Sequence, residues 1–147
     1  MNAIVIYATI TGNNEDVADI LTEAFEDQDI AVKEVEISQV DSDTLTDYNI
    51  IVVVPYTYDE GALPEEGLDF YDDLQDVDLT GHVFAVAGSG DVFYGDDYGV
   101  AVDKFDTRLA ATNAQRGADK LKINLAPDET DIDRLDDMAA ALIKAAK

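Results

Sequence analysis

At 147 residues with 47% apolar side chains, the chain has the size of one ordinary domain and enough apolar surface for a core. It contains no cysteine, which excludes disulfides, thiolate metal sites and cysteine nucleophiles. Its 33 acids against 9 bases leave a net charge of −24, a field that repels nucleic acid and anionic membranes and attracts cationic partners.

The first apolar run, Ala3–Ala8 (AIVIYA), reads as a strand covered on both faces. It has neither the length of a membrane span nor the basic region and cleavage site of a secretory signal, so a cytoplasmic protein is expected. TITGNN follows. Thr9 and Thr11 offer hydroxyls, Gly12 permits an unusual backbone angle and close ligand approach, and Asn13 and Asn14 suit a turn or helix cap. A helix starting here presents unpaired N–H groups and a positive dipole end, which can hold a phosphate without a cationic side chain. Neither G-x-x-x-x-G-K-[ST] nor G-x-G-x-x-G is present, which argues against ATP or GTP hydrolysis and against a dinucleotide fingerprint.

Val17, Ile20, Leu21, Ala24 and Phe25 mark the first helix. Ile30–Ile37 alternates, as a strand near a sheet edge does. The connection Ser38–Asn49 is polar, with at most one helical turn near Thr44–Tyr48. Ile50–Pro55 (IIVVVP) is the most hydrophobic strand. Beyond it, Tyr56, Thr57, Tyr58 and Asp59 open an irregular loop whose aromatic rings suit the wall of a planar ligand. Leu68, Tyr71 and Leu74 define a second helical stripe. His82, the lone histidine, precedes the strand Val83–Ala87 and is expected to be structural. The stretch from Gly88 to Gly99 is rich in glycine, with Ser89, Gly90, Asp91, Tyr94, Asp96 and Tyr98, and offers backbone groups and rings to a heterocycle. Val102, Phe105 and Leu109 form a third helix. Leu121–Leu125 is a last strand, and Leu135, Met138, Ala139 and Leu142 a last helix.

Five strands alternating with helices predict one α/β domain over residues 1–147, doubly wound on a parallel sheet with helices on both faces. In such sheets the ligand lies beyond the carboxyl ends of the strands. A response-regulator receiver has the same plan but needs acids after strand 1, an Asp after strand 3 and a Lys after strand 5. Thr9, Pro55-Tyr56 and Ala126-Pro127 stand there.

From Ala3 to about Leu142 the sequence resembles a short-chain flavodoxin. Thr9-Ile10-Thr11-Gly12-Asn13-Asn14 is similar to the family phosphate loop [ST]-x-T-G-N-T, with Asn14 in place of a hydroxyl residue and still able to donate a backbone or amide N–H. Tyr56-Thr57-Tyr58-Asp59-Glu60-Gly61-Ala62-Leu63-Pro64 keeps the frame of Y-T-W-G-D-G-x-L-P. Gly88-Ser89-Gly90-Asp91-Val92-Phe93-Tyr94 matches G-[SC]-G-D-x-x-Y. The resemblance implies strand order 2-1-3-4-5 and no extra segment in the last strand. It implies non-covalent FMN, an inner stacking ring at Tyr58 or Tyr56, and an outer ring at Tyr94. The implied activity is low-potential one-electron transport between redox enzymes, not catalysis on a substrate. Implied partners are a reductase or oxidoreductase donor and a reductase acceptor with basic faces, and the chain is expected to act as a monomer.

Asp59 stands where relatives commonly carry a glycine, and the resemblance implies that the peptide after the inner aromatic turns over on reduction. It is expected to weaken the half-reduced state by about 1 kcal/mol. Asp96, Asp97 and Tyr98 replace residues that are often apolar, aromatic or cysteine in the family, and the two acids are expected to add negative potential near the ring. Two alternatives share the fold: an FMN-dependent quinone reductase, and a flavodoxin-like domain that has lost flavin binding.

Overall fold

The computed structural model describes residues 1–8, 12–56, 65–90 and 99–147. In chain order these residues form β1 (Asn2–Tyr7), α1 (Asn13–Asp27), β2 (Ala31–Glu36), β3 (Ile50–Val54), α2 (Glu65–Asp73), β4 (Val83–Gly90), α3 (Val100–Ala110), β5 (Gln115–Arg116), β6 (Leu121–Asn124) and α4 (Glu129–Ala146). Short 3₁₀ turns at Ile37–Gln39 and Ser42–Asp47 fill the polar connection before β3. The described strands pair in parallel in the order β2-β1-β3-β4-β5, and β6 also pairs with β4. This is the expected order.

The β-branched runs of β1 and β3 lie at the sheet centre because both their faces are covered. Alternate residues divide between two apolar layers. Ala3, Val5, Ile50, Val52 and Val54 meet Val17, Leu21 and Phe25 of α1 and Leu135, Met138 and Leu142 of α4. Ile4, Ile6, Ile51 and Val53 meet Phe70 and Leu74 on the α2 side and Val102, Phe105 and Leu109 of α3. Each fully buried large side chain contributes about 2 kcal/mol of transfer free energy, so this double layer fixes the register. β2 has no fully buried residue, as its alternating sequence predicts for an edge.

Two local expectations change. On α2, Leu68 is 43% exposed, whereas Phe70 and Leu74, one turn apart, are buried. The larger ring takes the inward face, and Phe70 and Tyr71 pack on Phe105 with ring centroids 6.2 and 5.2 Å away. The fifth sheet position is filled by two pieces, not one. β5 pairs with Val83–Phe84 and β6 with Ala87–Gly90. Between them Gly117 crosses so close to the sheet that a Cβ would stand 2.3 Å from Val83 Cγ1. Gln115–Arg116 is too short and polar to show a strand period.

At the amino ends of the strands, Asn2 and Asn49 exchange hydrogen bonds. The Asn2 N–H donates to Asn49 Oδ1 at 3.0 Å and the Asn49 N–H to Asn2 Oδ1 at 2.9 Å. Asn2 Nδ2 donates to the Asp47 carbonyl at 2.8 Å. His82 lies at this same end, its Nδ1 2.6 Å from the Tyr48 carbonyl oxygen.

Candidate functional site

The opposite, carboxyl ends of β1, β3 and β4 converge. The Ala8 N–H donates to the Val54 carbonyl at 2.9 Å and so ties the exits of β1 and β3. Helix α1 then starts behind Gly12, whose φ of 92° is left-handed. Among the described residues a Cβ at Gly12 would meet nothing within 4 Å, so the backbone angle is what requires glycine there. Among the described residues no side chain caps this helix start. Its first intrahelical bond runs from the Asp16 N–H to the Gly12 carbonyl at 3.1 Å. The N–H groups of Asn13, Asn14 and Glu15 therefore have no acceptor within the helix. No base stands in the sequence before Lys33, so what this segment itself offers an anion is its backbone dipoles. These donors fit a phosphate group.

The surrounding side chains are negative. Burial pushes the Tyr7 phenol above its ordinary range, and Glu15, Glu34, Glu36 and Asp19 push it further. The Glu34 carboxyl is pushed up to about 7 by burial first, then by its hydrogen bond with Asp19. Donation from Thr22 Oγ1 at 2.7 Å acts in the opposite sense.

Asn14 is wholly buried beneath the helix start. Its Nδ2 donates to the Ala8 carbonyl at 2.8 Å and the Pro55 carbonyl at 2.9 Å. Its Oδ1 accepts from the Ser89 N–H at 2.6 Å. Both amide hydrogens are thus engaged by main-chain carbonyls. Of the two donors expected of Asn14, only the backbone N–H remains for an anion. A sequence signal for this burial exists: Asn14 precedes Val17 and Leu21 by three and seven residues and so belongs to their apolar stripe.

Pro55 is buried at the end of β3, and Tyr56 is half-buried against the core layer of α2 and α3. At Gly88 a Cβ would stand 2.6 Å from the Pro55 carbonyl oxygen and 2.8 Å from Val102 Cγ2, so this glycine permits close packing of β4. Ser89 Oγ donates to the Leu125 carbonyl at 2.5 Å, and the Leu125 N–H donates to the Gly90 carbonyl at 2.7 Å. Leu125 belongs to this exit although the sequence reading placed it in a strand. Its φ of 57° ends β6.

Helix α3 starts behind Gly99, also left-handed at φ 66°. The aliphatic stem of Lys122 fills the space a Cβ would need. Lys120 and Lys122 each place Nζ 2.8 Å from an Asp103 carboxylate oxygen. Burial alone would raise the Asp103 carboxyl, but these hydrogen bonds and charges hold it below its ordinary range.

The structure thus brings Gly12, Asn13, Asn14, Pro55, Tyr56, Gly88, Ser89 and Gly90 to one end of the sheet. Thr9, Ile10, Thr11, Thr57, Tyr58, Asp59, Asp91, Tyr94, Asp96 and Tyr98 lie outside the described residues. Elsewhere, a groove of about 200 Å³ lined by Ala24, Asp27, Gln28, Asp136 and Ala139 runs between α1 and α4, away from the three exits. Among the described residues no helix is long and apolar enough to cross a membrane.

Comparison with known proteins agrees with this arrangement. The flavodoxin family model matches residues 5–135. The probable flavodoxin 1 of Bacillus subtilis is 36% identical over 131 residues, covering 89% of this chain and 82% of that protein. The solved structure of a short-chain flavodoxin associated with a non-canonical PDU bacterial microcompartment is 52% identical, covers both chains fully and superimposes with a TM-score of 0.97. The flavodoxin of Streptococcus pneumoniae TIGR4 is 39% identical over 99% of both chains, with a TM-score of 0.95. By its sequence, its sheet order and its likeness to these relatives, this chain belongs to the flavodoxin family of FMN-binding electron carriers.

Proposed function

We propose that the three strand exits hold one FMN and that residues 1–147 work as a single carrier domain. The observation that supports this most is the convergence of Ala8, Pro55 and Ser89 on Asn14, directly beneath a helix start able to receive a phosphate. Flavodoxins are themselves an example of the rule that ligands bind at the switch point of such sheets. In this reading Thr9, Ile10, Thr11, Gly12, Asn13 and Asn14 surround the phosphate. Asn14 takes part there through its backbone N–H. Pro55, Tyr56, Thr57, Tyr58 and Asp59 line one side of the ring system. Gly88, Ser89, Gly90, Asp91, Tyr94, Asp96 and Tyr98 line the other. Because Tyr56 packs on the core, Tyr58 is the better inner stacking ring, with Tyr94 outside.

FMN, when bound, supplies the group that accepts and returns the electron. The chain binds it, excludes water from it and surrounds it with negative charge, which disfavours adding an electron and keeps the potential low. Flavodoxins act with redox partner proteins such as reductases. The net charge of −24 supports partners with basic faces, met by a monomer in the cytoplasm.

The direct experiment is spectroscopic. Purified protein is expected to show the visible absorption bands of flavin and, once stripped, to quench the fluorescence of added FMN. A colourless protein that leaves FMN fluorescence unchanged would overturn the reading. Electron transfer to a basic-faced reductase is expected to slow as salt rises; a rate independent of salt would remove the charge argument.

A further inference from the structure

We propose that Asn14 is a positioning residue that joins the exits of β1, β3 and β4 into one unit, so that the phosphate side and the ring side of the site move together. This rests on the FMN reading above. The β3–β4 ladder has its last pair at Val53 and Val86. Continued, that register sets Pro55 opposite Gly88. In a parallel ladder the Pro55 carbonyl would then bond the N–H of the next residue, Ser89. Those are the two groups that the Asn14 carboxamide joins, the first at 2.9 Å and the second at 2.6 Å. The side chain thus stands in for a missing rung between β3 and β4. Its remaining amide hydrogen reaches β1 at Ala8, 2.8 Å away.

The same residue is the second of α1. The helix end that receives the phosphate is therefore anchored to the strand ends from which both ring-side segments depart. Its complete burial leaves no water to replace a lost bond, so truncation strands three main-chain groups together. A hydroxyl residue in this place, as in the family pattern, is too short to reach all three carbonyl and N–H groups.

The test compares the wild-type protein with Asn14→Thr and with Asn14→Asp, which keeps the shape but sets a carboxylate against two carbonyls. FMN and riboflavin, which lacks the phosphate, are titrated into stripped protein, and both reduction potentials of the FMN-loaded protein are measured. Exchange of the Ser89 amide proton is followed in stripped protein. In both variants, affinity for the two flavins is expected to fall by a similar factor of about ten or more. Both potentials shift; the Ser89 amide loses its protection in Asn14→Thr and keeps it in Asn14→Asp, whose carboxylate still accepts from it. A loss confined to FMN, with riboflavin affinity and potentials unchanged, would mean that Asn14 serves only the phosphate. Lower stability with unchanged potentials and affinities would mean that it serves only the fold. Either result overturns the proposal. If wild-type protein binds neither flavin, the FMN reading fails, and the Ser89 exchange alone decides whether the joint exists.

Discussion

Asparagine side chains close the sheet at both of its ends, and they do so under opposite conditions. At the amino end, Asn2 and Asn49 exchange bonds across β1 and β3 with water at hand. At the carboxyl end, Asn14 spans β1, β3 and β4 with none of its surface exposed. Similar chemistry therefore has unequal consequences. Water can take over a broken bond in the exposed pair, whereas the buried amide has no substitute. At the buried end the β3–β4 ladder is continued by a side chain, which joins the Pro55 carbonyl to the Ser89 N–H.

The sharpest way to break this contrast is Asn14→Leu. It leaves the Ser89 N–H and the Ala8 and Pro55 carbonyls without their partner, and a loss of about 3 kcal/mol is expected from chemical denaturation. A loss below that of the exposed pair would show the contrast to be unfounded. Gly88→Ala probes the same end by volume, since the new methyl must displace the Pro55 carbonyl or Val102. Overpacking of this kind is expected to lower stability by about 2 kcal/mol, with weaker FMN binding measured by fluorescence.

Glu34 tests whether charge matters on the α1–β2 flank. Its folded pKa of about 7 lies above the ordinary 4.5, so its contribution is fully present below pH 4.5 and is lost as pH rises through 7. Because much of the group reaches solvent, the difference is discounted to about 1 kcal/mol. Denaturation at several pH values should show Glu34→Gln flattening that decline. An unchanged pH profile would remove Glu34 as its source. The smallest effect belongs to Asn49→Ala, expected at about 0.5 kcal/mol because both ends of the exposed pair can turn to water.

The layers of the fold were legible because β-branched runs and helical stripes carry strong periods. Val17, Leu21 and Phe25, or Phe105 and Leu109, announce their buried faces. Where a period was short, reading failed. Leu68 fits the spacing of α2 as well as Phe70 does, and only contact with Phe105 decides between them. The turn into α1 was legible, since a glycine and two asparagines after an apolar run permit an unusual backbone angle before a helix. The direction of the Asn14 side chain was not. An asparagine near a helix start reads as a polar cap, and its acceptors at Ala8 and Pro55 come from strands up to 41 residues away. The close packing of Gly88 on the Pro55 carbonyl was likewise not legible, because nothing local announces that carbonyl beside it.

The uneven placement of the bases has a mechanical consequence. Helix α1 carries six acids and no base, while Arg116, Lys120 and Lys122 gather at the far edge of the sheet and pair with Asp106 and Asp103. The bases of that edge are thus matched by their own acids, whereas the charge of α1 is not matched within the helix. A positively charged surface, whether an electrode or a protein, therefore pulls harder on α1 than on that edge, at separations up to the Debye length of about 8 Å in physiological salt.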